Sequence, residues 1–233
     1  MSIIGGVRRR LQNSREERAL SSIYERYKPF TMLPVGTYKA NLRVVQENQQ
    51  TPGCIVECGV WKGGMSAGMA HLLGPERSYF LFDSFEGLPP AQVALDGDAA
   101  VAYQADPTGD SYHNNCTASQ EDAEAAMRLS GAKHVTLVKG WFENTVPDFS
   151  PPTPIAILRL DGDWYASTMT CLRALVPHLA PGAVVIIDDY SAWDGCSRAV
   201  HDFLSQTQST ARICSPHDVV VIDGLGPGST RRY

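Results

Sequence analysis

Ile155-Ala156-Ile157-Leu158 leading into Leu160-Asp161-Gly162-Asp163, and Ala183-Val184-Val185-Ile186-Ile187 leading into Asp188-Asp189-Tyr190, decide the fold. Each begins as a short apolar run, which reads as a strand buried on both faces. Between them, residues 166–179 carry the apolar spacing of an amphipathic helix. Strand, crossover helix and strand make the parallel unit of α/β proteins. Both acidic clusters then lie at strand C-termini on one edge of a sheet, where open α/β proteins bind ligands. Carboxylates crowded there repel one another and resist ionising unless a cation compensates. The matching cation is a hard divalent ion such as Mg2+, which takes oxygen ligands. Asp163 is expected to be the cap of the following helix, and the Asp188-Asp189 pair has the alternative of a solvated turn.

Outward from this unit the alternation of strands and helices continues. Toward the N-terminus, Leu20, Ile23, Tyr24 and Tyr27 have helical spacing over residues 14–27, Pro29 and Pro34 interrupt, and a second helix is expected over 35–48. Residues 54–58 read as a strand, Gly59-Val60-Trp61-Lys62-Gly63-Gly64 as a glycine-rich turn, 65–73 as a helix and 78–83 as the next strand. Residues 86–117 are rich in Gly, Pro, Asp and Asn and too long for a plain connection, so they are expected to form a lid or binding loop. A helix over 119–129 and a strand over 134–139 complete the parallel series. After a helix over 194–204, the runs 211–214 and 218–222 flank Ser215-Pro216-His217, a link that fits a hairpin and predicts one antiparallel edge strand.

Composition bounds the function. A chain of 233 residues, 43% hydrophobic, suits one large α/β domain with an ample core. Its longest apolar runs are too short to cross a bilayer, so no membrane partner is expected. The net charge of -5 and the lack of a long basic run argue against nucleic acid. Arg8-Arg9-Arg10 and Arg231-Arg232 read as exposed tails. The N-terminus offers no apolar signal-peptide core, and the 6 cysteines lack the paired spacing of zinc sites. Reduced thiols in a cytoplasmic protein are the simplest expectation.

The glycine turn is neither a P-loop, since Lys62 precedes the glycine pair, nor a dinucleotide fingerprint. What remains is backbone that a ligand can approach, with Glu57 at the strand end suited to an ammonium group. Asp83, at the end of the next strand, suits a ribose diol, because a carboxylate accepts two hydroxyl hydrogen bonds. An amino acid joined to a nucleoside answers to both, and S-adenosylmethionine is such a ligand.

Glu57-Cys58-Gly59-Val60-Trp61-Lys62-Gly63-Gly64, Asp83-Ser84-Phe85-Glu86-Gly87-Leu88-Pro89, Gly140-Trp141-Phe142-Glu143-Asn144-Thr145, Asp161-Gly162-Asp163-Trp164-Tyr165-Ala166-Ser167-Thr168 and the stretch from Pro181 to Tyr190 follow one another in this order. In these motifs the chain resembles the macrocin O-methyltransferase (TylF/MycF-like) family, Mg2+-dependent enzymes that methylate hydroxyls, typically on sugars of bacterial natural products. The resemblance implies a Rossmann-like class I methyltransferase fold, with a seven-stranded, mostly parallel sheet and helices on both faces. It implies that Glu57, Gly59, Trp61 and Gly63 hold the methionine part, that Asp83 and Ser84 hold the ribose, and that Gly140, Trp141 and Phe142 lie near the adenine. It implies Asp161, Asp188 and Asp189 as metal ligands. Phe30-Thr31-Met32 resembles the family's closing segment, so residues 1–50 become a helical cover over a core at 51–233 with a lid near 86–117. A homo-oligomer is implied as well.

A hydroxyl is a poor nucleophile, and coordination to Mg2+ lowers its pKa and aligns it with the sulfonium methyl. Asp161 is the expected base as well as a metal ligand and a neighbour of the cofactor. His113, in the candidate lid, is a second candidate base. His201 reads as structural. Trp61, Trp164 and Tyr165 are candidates to line a sugar pocket. Two other classes share the acidic clusters: a metal-dependent hydrolase or phosphotransferase, which leaves Glu57 and Asp83 unexplained, and a methyltransferase-like enzyme with a non-methylating reaction.

Overall fold

The structure, a computed structural model, describes residues 3–110 and 112–228, with side chains described from residue 14 onward. The expected exposed tails at Arg8-Arg9-Arg10 and Arg231-Arg232 therefore lie outside the described side chains and residues. Helices α1 (Ile3–Tyr27) and α2 (Val35–Glu47) precede β1 (Cys54–Cys58), α3 (Gly64–Leu73), β2 (Ser78–Asp83), α4 (Val93–Ala105), α5 (Gln120–Ser130), β3 (His134–Lys139), α6 (Phe142–Thr145) and β4 (Ile155–Leu160). Then follow α7 (Tyr165–Leu175), β5 (Leu179–Ile187), α8 (Asp194–Gln206), β6 (Arg212–Cys214) and β7 (Val221–Asp223). Among the described residues, no helix is long and apolar enough to cross a membrane. All the cysteines are free thiols.

The strands form a 7-stranded sheet in the order β3-β2-β1-β4-β5-β7-β6. β1 to β5 are mutually parallel; β1, β4 and β5 are the buried apolar runs, while the edge strand β3 is exposed or half-buried along its length. A single strand, β7, runs against the rest, pairing antiparallel with both β5 and β6. It lies one place in from the edge, so the edge strand β6 runs with the majority. The hairpin between β6 and β7 causes this: the chain crosses beyond β5 to lay down β6 and then folds back into the gap.

The alternation of each central strand splits the core in two. Ile55, Ile157 and Val184 pack with Leu20, Tyr27, Tyr38 and Met69 from α1 to α3. Val56, Leu158 and Val185 pack with Leu172, Leu175, Val200 and Phe203 from α7 and α8. Burying apolar surface on both faces at ~25 cal/mol per Å² supplies the main drive for this layering.

Two stretches differ from the sequence expectation. The stretch 86–117, expected as a lid or binding loop, contains α4, broken at Gly97 (φ 83°), and a short turn at Asn114–Cys116. Alanines at positions 91, 94, 99, 100, 102 and 105, strong helix formers, outweigh the Gly and Pro content that reads as loop. The helix expected over 166–179 is α-helical only to Leu175 and continues as a 3-10 turn over Val176–His178, where Pro177 has no N–H to carry the α-helical bonding on, and β5 starts at Leu179. The helix expected over 119–129 forms: Ser119 accepts from the Asp122 N–H at 3.1 Å, and Gly131 closes it in the left-handed conformation.

Candidate functional site

β1 and β4 are neighbours from which the chain winds outward in opposite directions, so their C-terminal ends form the switch point of the sheet. A cavity of about 970 Å³, counted to its open mouth, lies there. Phe30 to Leu33 close one side, and Gly87, Leu88, Pro89 and Cys116 of the lid stretch close another. The N-terminal segment is keyed to the glycine-rich start of α3. The Tyr38 hydroxyl donates to the Gly64 carbonyl at 2.9 Å, and a Cβ at Gly64 would collide with the Phe30 carbonyl.

One half of the cavity is built on β1 and β2. Glu57, Gly59 and Trp61 line it, with Asp83, Ser84 and Met32 facing them. Asp83 is a brace for the turn: Oδ2 accepts the N–H of Val60 at 2.7 Å and of Trp61 at 2.8 Å, and Oδ1 accepts the N–H of Phe85 at 2.7 Å. Burial raises its pKa, and these three N–H groups oppose the rise. Thus braced, Trp61 holds a left-handed φ of 48°, and its indole N–H is buried with no partner. Gly59 (φ 90°) lies so close to the end of β4 that a Cβ would overlap the Asp161 carbonyl. Ser84 accepts the Glu86 N–H and donates to the Gly87 carbonyl, shaping the next turn.

Trp141 and Phe142 also line the cavity. Gly63 and Gly140 do not, and their contribution is backbone geometry at φ 80° and 144°. Trp164 is buried with its N–H on the Pro89 carbonyl at 2.8 Å, and the Tyr165 hydroxyl donates to Asp202 at 2.9 Å, so neither lines the cavity. His201 lies 2.8 Å from the Tyr190 hydroxyl at the surface. His113 is exposed and absent from the cavity wall. The turn behind it, with Asn114, Asn115 and Cys116 all at positive φ, brings Cys116 inward instead.

The other half is acidic. Among the described residues Asp161, Asp163 and Asp189 each offer an oxygen within 4.8 Å of the others. Asp163 is therefore a member of the cluster and not the cap of α7. Its N–H donates to Asp189 at 2.9 Å, and its Oδ1 accepts the Trp193 indole N–H at 2.9 Å. The N–H of Tyr165, at the start of α7, goes to Asp96 of the lid helix at 2.8 Å. Asp188, expected beside Asp161 and Asp189, is turned to Arg159, with Oδ1 2.6 Å from Nη2. Burial, with repulsion from Asp161, pushes the Asp163 carboxyl up to about 8, and Asp189 rises well above its ordinary value for the same reasons.

Arg159 is the residue that sequence reading missed. It sits within the buried run of β4, in register with Glu57 of β1, and its side chain is 1% exposed. Nη1 donates to Glu57 at 2.7 Å and to Asp161 at 2.8 Å. Burial opposes its charge, but Asp188, Asp161 and Glu57 together hold it protonated. Glu57 gives its other oxygen to the Ser66 hydroxyl, and burial raises its pKa to about 7. The available signal was a lone charged residue inside an apolar strand. With Glu57, Asp161, Asp163, Asp188 and Asp189 all ionised, one guanidinium would leave an excess of negative charge, which is why Asp163 and Asp189 resist ionising. An all-carboxylate donor set of this kind fits a hard divalent cation.

Comparison with known proteins gives the same picture. A model of the family described as macrocin-O-methyltransferase (TylF) matches residues 35–222. Over 162 residues the chain is 38% identical to the 8-demethyl-8-(2,3-dimethoxy-alpha-L-rhamnosyl)-tetracenomycin-C 4'-O-methyltransferase of Streptomyces olivaceus, covering 65% of this chain and 58% of the relative. It is 31% identical over 162 residues to the mycinamicin III 3''-O-methyltransferase of Micromonospora griseorubida, covering 65% of this chain and 60% of the relative. The chain thus spans about three fifths of the length of these relatives. Among solved structures, the O-methyltransferase NovP superposes with a TM-score of 0.68 at 28% identity, covering 83% of this chain and 81% of that one. The shared architecture is the Rossmann-like class I methyltransferase fold.

Proposed function

The chain belongs to the macrocin O-methyltransferase (TylF) family, and from that premise we propose that it transfers a methyl group from S-adenosylmethionine to a hydroxyl of a small metabolite, most naturally a sugar hydroxyl of a glycosylated natural product. The observation that carries this reading is the union, in one cavity at the switch point of the sheet, of a braced glycine turn and an oxygen-rich acidic cluster. The relatives' names support the substrate class, since both are named as O-methyltransferases and one is named for a rhamnosyl compound.

On this reading the methionine ammonium meets the lone pair that Glu57 keeps beyond Arg159 and Ser66, since each carboxylate oxygen accepts more than one hydrogen bond. The unpartnered indole N–H of Trp61 is a donor awaiting an acceptor on the ligand, and a buried N–H is costly to leave alone. Asp83, although occupied by backbone amides, retains acceptor capacity toward a ribose hydroxyl. Trp141 and Phe142 offer aromatic surface for the base. Asp161 and Asp189 would hold Mg2+, with Asp163 converging on them and Asp188 beside them. The cation, when bound, supplies charge that lowers the pKa of a hydroxyl. Asp161 shares one oxygen with Arg159 and has a side chain 30% exposed toward the cavity, and it accepts the hydroxyl proton. The lid stretch and Phe30 to Leu33 exclude water and orient the acceptor. A homo-oligomeric, cytoplasmic enzyme completes the proposal.

Calorimetry with S-adenosylmethionine, with and without Mg2+, tests the cofactor. A panel of glycosylated acceptors scored for the mass gain of one CH2 group tests the reaction. Absence of cofactor binding in both conditions would overturn the proposal.

A further inference from the structure

We propose that Arg159 is a positioning residue that couples the two halves of the cavity, fixing the Glu57 carboxylate that faces the methyl donor and the Asp161 and Asp188 carboxylates of the acidic half with one buried guanidinium. Both arms of the guanidinium are engaged: Nη1 donates to Glu57 and Asp161, and Nη2 is ion-paired with Asp188 outside hydrogen-bond alignment. Glu57 on β1, Asp161 at the end of β4 and Asp188 at the end of β5 all meet it within 2.6 to 2.8 Å, and its Nε faces the Asn41 carbonyl oxygen of α2 at 3.4 Å. Arg159 lies on the α1 to α3 face of β4, since Ile157 two residues earlier packs there and residue 161 follows at the same period. A lysine offers a point charge on a flexible stem and has no such fork.

The charges are shared. Glu57 on β1 and Asp188 at the end of β5 flank β4 from opposite sides, yet both answer to Arg159. A ligand cation that draws on Asp161 or Asp188 withdraws acceptor density from Arg159, which then leans on Glu57. An ammonium on Glu57 acts in the opposite sense. Donor affinity and cation affinity are therefore linked through one side chain, and by linkage the effect is reciprocal. Groups that hold a ligating side chain in place typically cost about 10 to 100-fold in affinity when lost.

Because this role presupposes the donor and cation sites proposed above, the experiment separates the two. Dissociation constants for S-adenosylmethionine, with and without Mg2+, and for Mg2+ alone are measured calorimetrically on wild type, Arg159→Lys, Glu57→Gln and the double variant. Arg159→Lys is expected to weaken donor binding about tenfold and to abolish the dependence of donor affinity on Mg2+. In the Glu57→Gln background it should weaken donor binding no further, since contacting groups that act together are non-additive. Additive losses, or an unchanged Mg2+ dependence in Arg159→Lys, would overturn the inference and leave the enzymatic reading intact. No binding to wild type would overturn that reading itself. If Arg159→Lys does not fold, the side-chain Nε–Hε resonance of Arg159 in the unmutated protein carries the test. It should shift on adding Mg2+ alone and on adding donor alone, and a resonance that ignores either overturns the coupling.

Discussion

At the scale of single residues, the distribution of contacts among the acids makes them unequal. Asp161 faces the cavity with one oxygen on Arg159, Asp163 and Asp189 share an N–H to carboxylate bond, and Asp188 is committed to Arg159. Asp161→Asn should lower turnover by at least about a hundredfold, because it removes the proposed base at constant size. Full turnover in the presence of Mg2+ would show that another group takes the proton. Asp163→Asn and Asp188→Asn divide the cation site: a larger loss of Mg2+ affinity in the first would make the convergent group the ligand set, and a larger loss in the second would restore the set implied by family resemblance. Gly59→Ala should cost more than about 2 kcal/mol in denaturant unfolding, since it forces a side chain into positive φ and against the Asp161 carbonyl. Asp161 and Asp83 were legible because each ends an apolar run, and a strand end in an α/β sheet is a predictable place. Arg159 was not, because a charge inside such a run acquires meaning from Glu57, 102 residues away in the chain and adjacent in the sheet. Asp163 was misread as a cap for the opposite reason: local spacing favoured it, and Trp193 and Asp189 claimed it from a distance.

At the scale of elements, the stretch 86–117, proposed as a lid, is attached to the core more firmly than its composition suggests. Asp96, near the start of α4, accepts the Gln92 N–H on one oxygen and the Tyr165 N–H of α7 on the other, both at 2.8 Å. Tyr103 of the same helix packs edge-on to Trp193 at 5.5 Å, and Trp193 in turn holds Asp163. Asp96→Ala should cost about 1 kcal/mol, as loss of a helix-end acceptor does, and should speed amide exchange across residues 92–105 while leaving the central strands protected. Exchanging residues 86–117 for those of a relative should alter acceptor choice with donor affinity unchanged, and a change confined to donor affinity would move the determinant elsewhere. The five parallel strands were legible as apolar runs bounded by turns. The interior place of β7 was not, since a hairpin fixes antiparallel pairing but leaves open which of its two strands meets β5.

At the scale of the whole molecule, the buried acids predict how stability follows pH. Glu57 and Asp163 have folded pKa values of about 7 and about 8, above those of carboxyls in an unfolded chain. The folded state therefore binds more protons than the unfolded state between the ordinary carboxylate range and pH 8, and stability falls as pH rises through that window. A divalent cation offsets the same charge, so Mg2+ should raise the melting temperature more at pH 8 than at pH 5. Thermal melts across that range, with Mg2+ or with a chelator, check both signs. A cation effect that is the same at both ends would show that the acids are not what it binds.

The pairing of Glu57 with Arg159 also bears on how the protein is made. Synthesis delivers the cavity's N-terminal wall and the donor turn first, and β1 must wait for β4, past β2 and β3, before its central partner exists. A chain that stops short of Arg159 carries a carboxylate meant for burial without its cationic partner, so the middle of the sheet closes late. Contacts of such long sequence separation slow folding, and they make the centre of this protein, rather than its edges, the part most exposed to interruption of translation.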